Sequence, residues 1–114
     1  MMRIRHESCS DFTVITLIGQ FVRPDDIAEL GVFIQKQIDD KTKNIIINMG
    51  GVDFINSAAI GFLVKTQTEL NKIYGKLVLC NAKKLVLESL TVMKIDSVIK
   101  IFSSQQEAVE HILS

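Results

Sequence analysis

The chain has 114 residues, of which 13 are basic and 13 acidic, so its formal net charge is zero. That length corresponds to one domain, residues 1–114, and a hydrophobic content of 47% excludes a disordered chain. The balanced charge, without a basic stripe, argues against nucleic-acid binding and permits weak self-association. No apolar run approaches the ~20 residues that a membrane span requires.

The cysteines and histidines give no sign of a metal site or a cofactor. Cys9 and Cys80 are too few for a disulfide framework, and neither lies in a CxxC or Cys/His cluster. We predict a buried, reduced thiol at Cys80, which closes an apolar run. His6 and His111 have no acid or cysteine at ligand spacing. The N-terminus lacks the apolar stretch of a signal peptide, so we expect a cytoplasmic location.

The first third of the chain predicts two strands and a helix. Residues 2–7 alternate weakly and residues 12–18 more strongly, with a turn at Gly19. Apolar residues at helical spacing then predict a helix over Pro24–Asp39, with proline in its first turn. The face of this helix that points inward is predicted to carry Ile27, Leu30, Ile34 and Ile38.

The middle of the chain predicts a buried strand, a loop and a second helix. Residues 44–48 form a short apolar strand, and residues 49–56 are predicted to be the loop that leaves it. The helix covers residues 57–74, and Gly75 is interpreted as its stop signal. Its inward face is predicted to carry Ala59, Leu63, Thr66, Leu70 and Ile73.

The last third predicts strands at 76–80 and 98–102, with a helix at 83–90 between them that buries Leu87 and Leu90. A capping box over residues 104–107 opens a final helix that buries Val109 and Ile112. The order β-β-α-β-α-β-α-β-α predicts a single α/β domain with a mixed, mostly parallel sheet and about four helices. In such sheets, sites gather beyond the carboxyl ends of strands, which places a candidate site at Ser57.

Several interpretations of the residues around Ser57 stay open. Its hydroxyl could cap the helix, or Asn56 could be the cap and leave the hydroxyl outward. Asp53 could be a base, although a loop acid that accepts from backbone amides is the simpler interpretation. Gly61 could allow close helix–strand packing or make room for a partner. Phe62 could belong to the core or to an exposed binding patch.

The chain resembles the STAS domain, specifically the bacterial anti-sigma factor antagonists. The resemblance covers nearly the whole length, and the order and spacing of its segments carry it. Those segments are residues 14–19, 45–48, 75–81 and 98–102 together with Asp53-Phe54-Ile55-Asn56-Ser57-Ala58-Ala59-Ile60-Gly61.

The resemblance implies a regulatory binding protein that is not an enzyme. Its partner would be an anti-sigma factor with serine kinase activity, which phosphorylates Ser57. The unphosphorylated chain would bind this partner and free a sigma factor, and a serine phosphatase would reset the switch. The partner-binding residues implied are Asp53, Asn56, Ser57, Ala58, Ile60, Gly61 and Phe62.

The chain departs from the family pattern near the acceptor. Asn56 replaces an acid, Ala58 a second hydroxyl and Ala59 a glycine. The acid that usually precedes the first helix is also missing, since Val22 stands there and Arg23 follows. We hypothesise that Asn56 preserves partner binding but makes the chain a poorer kinase substrate.

Two other functions are considered. The chain could be an unphosphorylated STAS subunit of an ABC transporter or of a stressosome-like assembly, for which no phosphate is needed. It could also be a small enzyme that uses Ser57 or Cys80. The enzyme interpretation lacks a recognisable general base or metal cluster.

Overall fold

The computed structural model describes residues 2–114, and within them the predicted α/β class and element order are confirmed. The strands are β1 (Met2–Ser8), β2 (Thr13–Phe21), β3 (Asn44–Ile55), β4 (Lys76–Cys80) and β5 (Lys100–Phe102). The helices are α1 (Pro24–Asp39), α2 (Ser57–Lys72), α3 (Lys84–Val92) and α4 (Gln105–Leu113), with one 3₁₀ turn at Ile95–Ser97. No helix in this part of the chain is long and apolar enough to cross a membrane.

The five strands form one sheet in the order β1-β2-β3-β4-β5. Only β1 is antiparallel to its neighbour, and the other three pairs are parallel. The helices α1, α2 and α3 pack on one face through a core that includes Leu30, Leu63 and Leu90. The helix α4 packs on the other face through Ala108 and Ile112. Both faces of the central strand β3 are therefore covered, as its apolar run predicts.

The strand β3 is longer than the sequence predicts, and most of the predicted loop 49–56 belongs to it. Its pairing with β2 continues to Ile55 through two register shifts, each of which adds a residue on β3. Gly50 and Gly51 lie at the first shift, where a Cβ on Gly51 would stand 2.9 Å from the carbonyl oxygen of Leu17. The glycine pair thus permits a β-bulge rather than a loop, which is why the prediction was wrong.

The strand β2 also runs past its predicted turn. Gly19 has a φ of 114°, a value that favours glycine, and lies at the second register shift. The chain stays in the sheet until Phe21. Both strands therefore end at the same level, with Phe21 paired to Ile55.

The end of α2 differs from the prediction in its last residue, in the exposure of Ile73 and in the residue that stops the helix. The helix ends at Lys72, and Ile73, predicted to be inward, is 40% exposed. The left-handed residue after the helix is Tyr74 (φ 63°), not the glycine. Gly75 is required for space, because a Cβ there would lie 2.1 Å from the carbonyl oxygen of Lys43.

The last third corrects the predicted burial of α3 and the start of β5. Val86 and Leu90, four residues apart, are the buried pair of α3, whereas Leu87 is 39% exposed. The predicted strand 98–102 begins only at Lys100, because the 3₁₀ turn precedes it.

The predicted Ser104 cap is confirmed, since its hydroxyl accepts from the backbone N–H of Glu107 at 3.2 Å. In α4, Ala108 and Ile112 are buried and Val109 is partly buried.

Candidate functional site

The candidate site lies where β3 passes into α2. Asn56 is the N-cap of α2, and its Oδ1 accepts from the backbone N–H of Ala59 at 3.0 Å. Its Nδ2 donates to the carbonyl oxygen of Val22 at 3.1 Å. One amide side chain therefore starts α2 and ties it to the segment before α1. Of the two capping alternatives, the one that assigns the cap to Asn56 is correct.

Ser57 is the first residue of α2 and is exposed. Its hydroxyl makes no hydrogen bond with any residue between 2 and 114. Because Asn56 supplies the capping oxygen, the Ser57 side chain has no structural task at the helix start. Ala58 is likewise exposed, while Ala59 is fully buried. The hydroxyl thus stands accessible on the surface at the start of the helix.

Asp53 lies on β3 rather than on a loop. Its Oδ1 accepts a 2.5 Å hydrogen bond from the Nζ of Lys83, just before α3. The two side chains are 65% and 49% exposed, so this ion pair adds little to stability. It does position the start of α3 beside the end of β3. The interpretation of Asp53 as a loop acid is therefore wrong, because it is an exposed acid on a strand and is paired with Lys83.

Gly61 and Phe62 follow on α2 and face different surroundings. A Cβ on Gly61 would meet no atom within 4 Å, so the interpretation of this glycine as a close-packing residue is wrong. Phe62 is half-buried and meets the Phe21 ring edge-on, with centroids 6.4 Å apart. Its ring also lies 3.3 Å from where a Cβ on Gly31 would stand. Phe62 thus packs between α1 and α2, and Ile60 is 5% exposed.

An apolar groove of about 500 Å³ adjoins Ser57. We call it the α3 groove; it runs between the end of β3, the start of α2 and one side of α3. Four large apolar side chains on it are strongly exposed: Phe54 (63%), Leu85 (71%), Val92 (79%) and Met93 (53%). The other lining residues are Asp53, Ile55, Asn56, Ser57, Ile60, Val86, Glu88 and Ser89.

Sequence reasoning did not identify the α3 groove. The signal was present in α3, which has more apolar residues than one inward face can bury. The apolar residues that this inward face does not bury include Leu85, Val92 and Met93. The sequence predicts a loop at Phe54, and its place on the solvent side of a strand follows only from the longer β3.

The surroundings of Cys80 do not activate its thiol. Burial raises the pKa of the Cys80 thiol to about 11, so it is protonated at neutral pH and a poor nucleophile. Cys80 is buried and unbridged, as predicted, and Cys9 is an exposed free thiol. Within residues 2–114, no three or more His, Cys, Asp or Glu side chains are grouped to hold a metal ion.

The sheet order and the placement of the helices define a small α/β domain with an exposed serine at the start of α2. The model of the STAS domain matches residues 26–108, so the chain belongs to the STAS family. BtrV of Bordetella bronchiseptica, whose name proposes it as an anti-sigma factor antagonist, is 24% identical over 98 residues. That match covers 86% of this chain and 84% of BtrV.

Solved structures of anti-sigma factor antagonists share the fold. One from Mycobacterium paratuberculosis superposes with a TM-score of 0.87 at 16% identity, covering 100% of this chain and 96% of the other. Unphosphorylated SpoIIAA gives 0.83 at 18% identity, with 97% and 96% covered. The phosphorylated form of SpoIIAA from Bacillus gives 0.75 at 18% identity, with 96% and 99% covered.

Proposed function

We propose that this chain is an anti-sigma factor antagonist: it binds an anti-sigma factor, a sigma factor is released, and phosphorylation of Ser57 ends the binding. The observation that carries the proposal is the exposed, unbonded hydroxyl of Ser57 at the end of an apolar groove. Similarity to BtrV and the fold of SpoIIAA, which is known in both phosphorylation states, support it.

The partner would dock over the start of α2 and the α3 groove. Asp53, Ser57, Ala58 and Gly61 are exposed there and offer small or polar contacts. Gly61 leaves open space into which a partner's backbone can approach. Of the other residues implied by the resemblance, Asn56, Ile60 and Phe62 would shape the surface from below rather than contact the partner broadly.

The switch would follow from charge. A kinase would transfer the γ-phosphoryl group of ATP to the Oγ of Ser57, with loss of the hydroxyl proton and departure of ADP. The product carries close to two negative charges on the rim of an apolar surface. A partner that covers this rim would have to desolvate them, which opposes binding. A phosphatase would return the chain to the binding state by hydrolysis of the phosphoester.

The test is a capture experiment with three forms of the chain, wild type, Ser57→Ala and Ser57→Asp, followed by binding measurements on the purified partner. We expect Ser57→Ala to retain an anti-sigma factor of the kinase type and Ser57→Asp to lose it. Intact-mass analysis with that kinase should show one phosphate on the wild type and none on Ser57→Ala. Equal binding by all three forms would overturn the switch.

One observation favours the second candidate function, that of an unphosphorylated STAS subunit in a larger assembly. Asn56, Ala58 and Ala59 differ from the phosphorylatable pattern, and a STAS subunit of a transporter or stressosome-like assembly needs no phosphate. In that case the three forms should bind one partner equally, and the kinase should leave the mass of the wild type unchanged. Slow, partial phosphorylation with intact binding would instead support the hypothesis for Asn56.

A further inference from the structure

Arg23 and Ser57 start from neighbouring backbone positions at the carboxyl end of the sheet. The parallel pairing of β2 with β3 ends at Phe21 and Ile55. A parallel sheet holds the strands of that last pair about 4.8 Å apart, and Arg23 and Ser57 each lie two residues beyond it. An arginine side chain is long enough to span the separation between two such neighbours.

The local structure holds this arrangement in place. The bond from Asn56 to the carbonyl oxygen of Val22 joins the residues that precede Ser57 and Arg23. Pro24 restricts the residue before it to extended backbone, and Arg23 accordingly has φ −82° and ψ 135°. The backbones that carry the two side chains are therefore fixed relative to each other.

The guanidinium of Arg23 is available on this surface. The side chain is exposed and makes no cap hydrogen bond at the start of α1. It forms no ion pair with a carboxylate in the described part of the chain. Its charge is therefore not committed to another group of the protein.

The start of α2 lacks an acid of its own. The first turn of α1 contains Asp25 and Asp26, whereas that of α2 contains no acidic residue. The backbone N–H groups of Ser57 and Ala58 find no acceptor within residues 2–114. These donors and the helix dipole favour a negative group at this position.

Within residues 2–114, four acids lie around the site, and two of them are either paired or buried. Asp53, on the groove side, is paired with Lys83. Asp26 is buried at 6% exposure on the inward face of α1, and its Oδ2 has no hydrogen-bond partner among the residues described. Two exposed acids remain near the site: Asp25 follows Arg23 in the first turn of α1, and Glu88 lines the α3 groove together with Ser57.

We propose that Arg23 binds the phosphate on Ser57 within the same molecule. The inference rests on the proposed phosphorylation of Ser57 and adds to it a residue that holds the modified form. A guanidinium binds a phosphate through paired, charge-assisted hydrogen bonds, which a lysine cannot form. The phosphorylated chain then keeps its fold, and the bound phosphate is shielded from a phosphatase. Arg23 would thereby lengthen the time that the chain spends unable to bind its partner.

The test needs no kinase, because phosphoserine can be placed at position 57 of the full chain during translation. The second pKa of the phosphate is then followed by ³¹P NMR in wild type, Arg23→Gln and Arg23→Lys. Arg5→Gln is the matched control, since Arg5 is an exposed arginine on β1, paired with Thr16. Circular dichroism checks that each variant is folded.

We expect the phosphate of the wild type and of Arg5→Gln to titrate about one unit below the ordinary value near 6. In Arg23→Gln the pKa should rise towards that value, and Arg23→Lys should lie between, because lysine keeps the charge but not the paired bonds. Identical titrations of wild type and Arg23→Gln would overturn the contact. If no kinase modifies Ser57, the proposed function is wrong. The titration result for the phosphoserine chain does not depend on that outcome.

Discussion

The Nδ2 of Asn56 donates to the carbonyl oxygen of Val22 at 3.1 Å, while the Oδ1 of the same side chain caps α2. This dual role needs one donor and one acceptor on the same side chain, which an amide supplies. A carboxylate can accept from the backbone N–H of Ala59, but it has no proton to donate to Val22. The contact between the starts of α1 and α2 therefore uses the amide hydrogen that a carboxylate lacks.

Asn56→Asp should destabilise the fold by about 1 to 2 kcal/mol at neutral pH. The substitution removes one hydrogen bond and places a carboxylate against a carbonyl oxygen. The favourable charge at the helix start offsets only about 0.3 to 1 kcal/mol of this. Urea unfolding followed by circular dichroism measures the difference in the free energy of unfolding.

Asn56→Ser is the control for this measurement, because it keeps a capping oxygen and loses the donor without adding charge. We expect Asn56→Asp to be less stable than Asn56→Ser at pH 7. The difference between their free energies of unfolding should decrease as the pH falls and the carboxyl group gains a proton. Equal stability of the two variants at pH 7 would contradict the repulsion between the carboxylate and the Val22 carbonyl oxygen, and wild-type stability of Asn56→Ser would contradict the role assigned to the Val22 hydrogen bond.

The element order could be predicted because the apolar residues of most helices and strands repeat with a clear period. The bounds of β2 and β3 were predicted wrongly, because a glycine is compatible with more than one backbone structure. Gly50 and Gly51 can mark a loop or a bulge, and only the pairing of Gly51 with Ile18 on β2 decides between them. The candidate site at Ser57 could be predicted because this residue follows a buried strand. The Ser57 hydroxyl is free because Asn56 caps the helix. The hydrogen bond of Asn56 to Val22 joins residues 34 apart in the sequence, and such a contact cannot be predicted from periodicity.

Gly61→Ala should stabilise the fold by up to about 1 kcal/mol, because alanine favours helix and meets no atom within 4 Å. The same substitution at Gly75 should be strongly destabilising, since its Cβ would collide with the carbonyl oxygen of Lys43. Thermal unfolding compares the two. If Gly61→Ala is more stable and yet binds the partner less well, the open space at Gly61 is part of the interface. A destabilised Gly61→Ala would contradict the exposed placement.

The double substitution Leu85→Ser and Val92→Ser should weaken partner binding at least tenfold, about 1.4 kcal/mol, because it removes two exposed apolar contacts of the α3 groove. Both side chains are mostly exposed, so stability should change by about 0.5 kcal/mol or less. Titration calorimetry with the partner that Ser57→Ala retains measures the affinity. Val32→Ser, an equally exposed valine on α1 (73%), is the matched control. Equal losses in both variants would mean that the groove is not the docking surface.

Acidification should reduce stability partly through His111. Burial, together with the charges of Lys76 and Lys100, lowers the pKa of this imidazole below its ordinary value near 6.5. The unfolded chain therefore binds more protons than the folded chain below about pH 6.5, so the free energy of unfolding falls as the pH is lowered through that range. His111→Gln should flatten this part of the profile in urea unfolding between pH 7 and pH 5. His6→Gln controls for the loss of an exposed histidine ring that also lies beside a phenylalanine. A His111→Gln profile as steep as that of the wild type would show that His111 does not contribute.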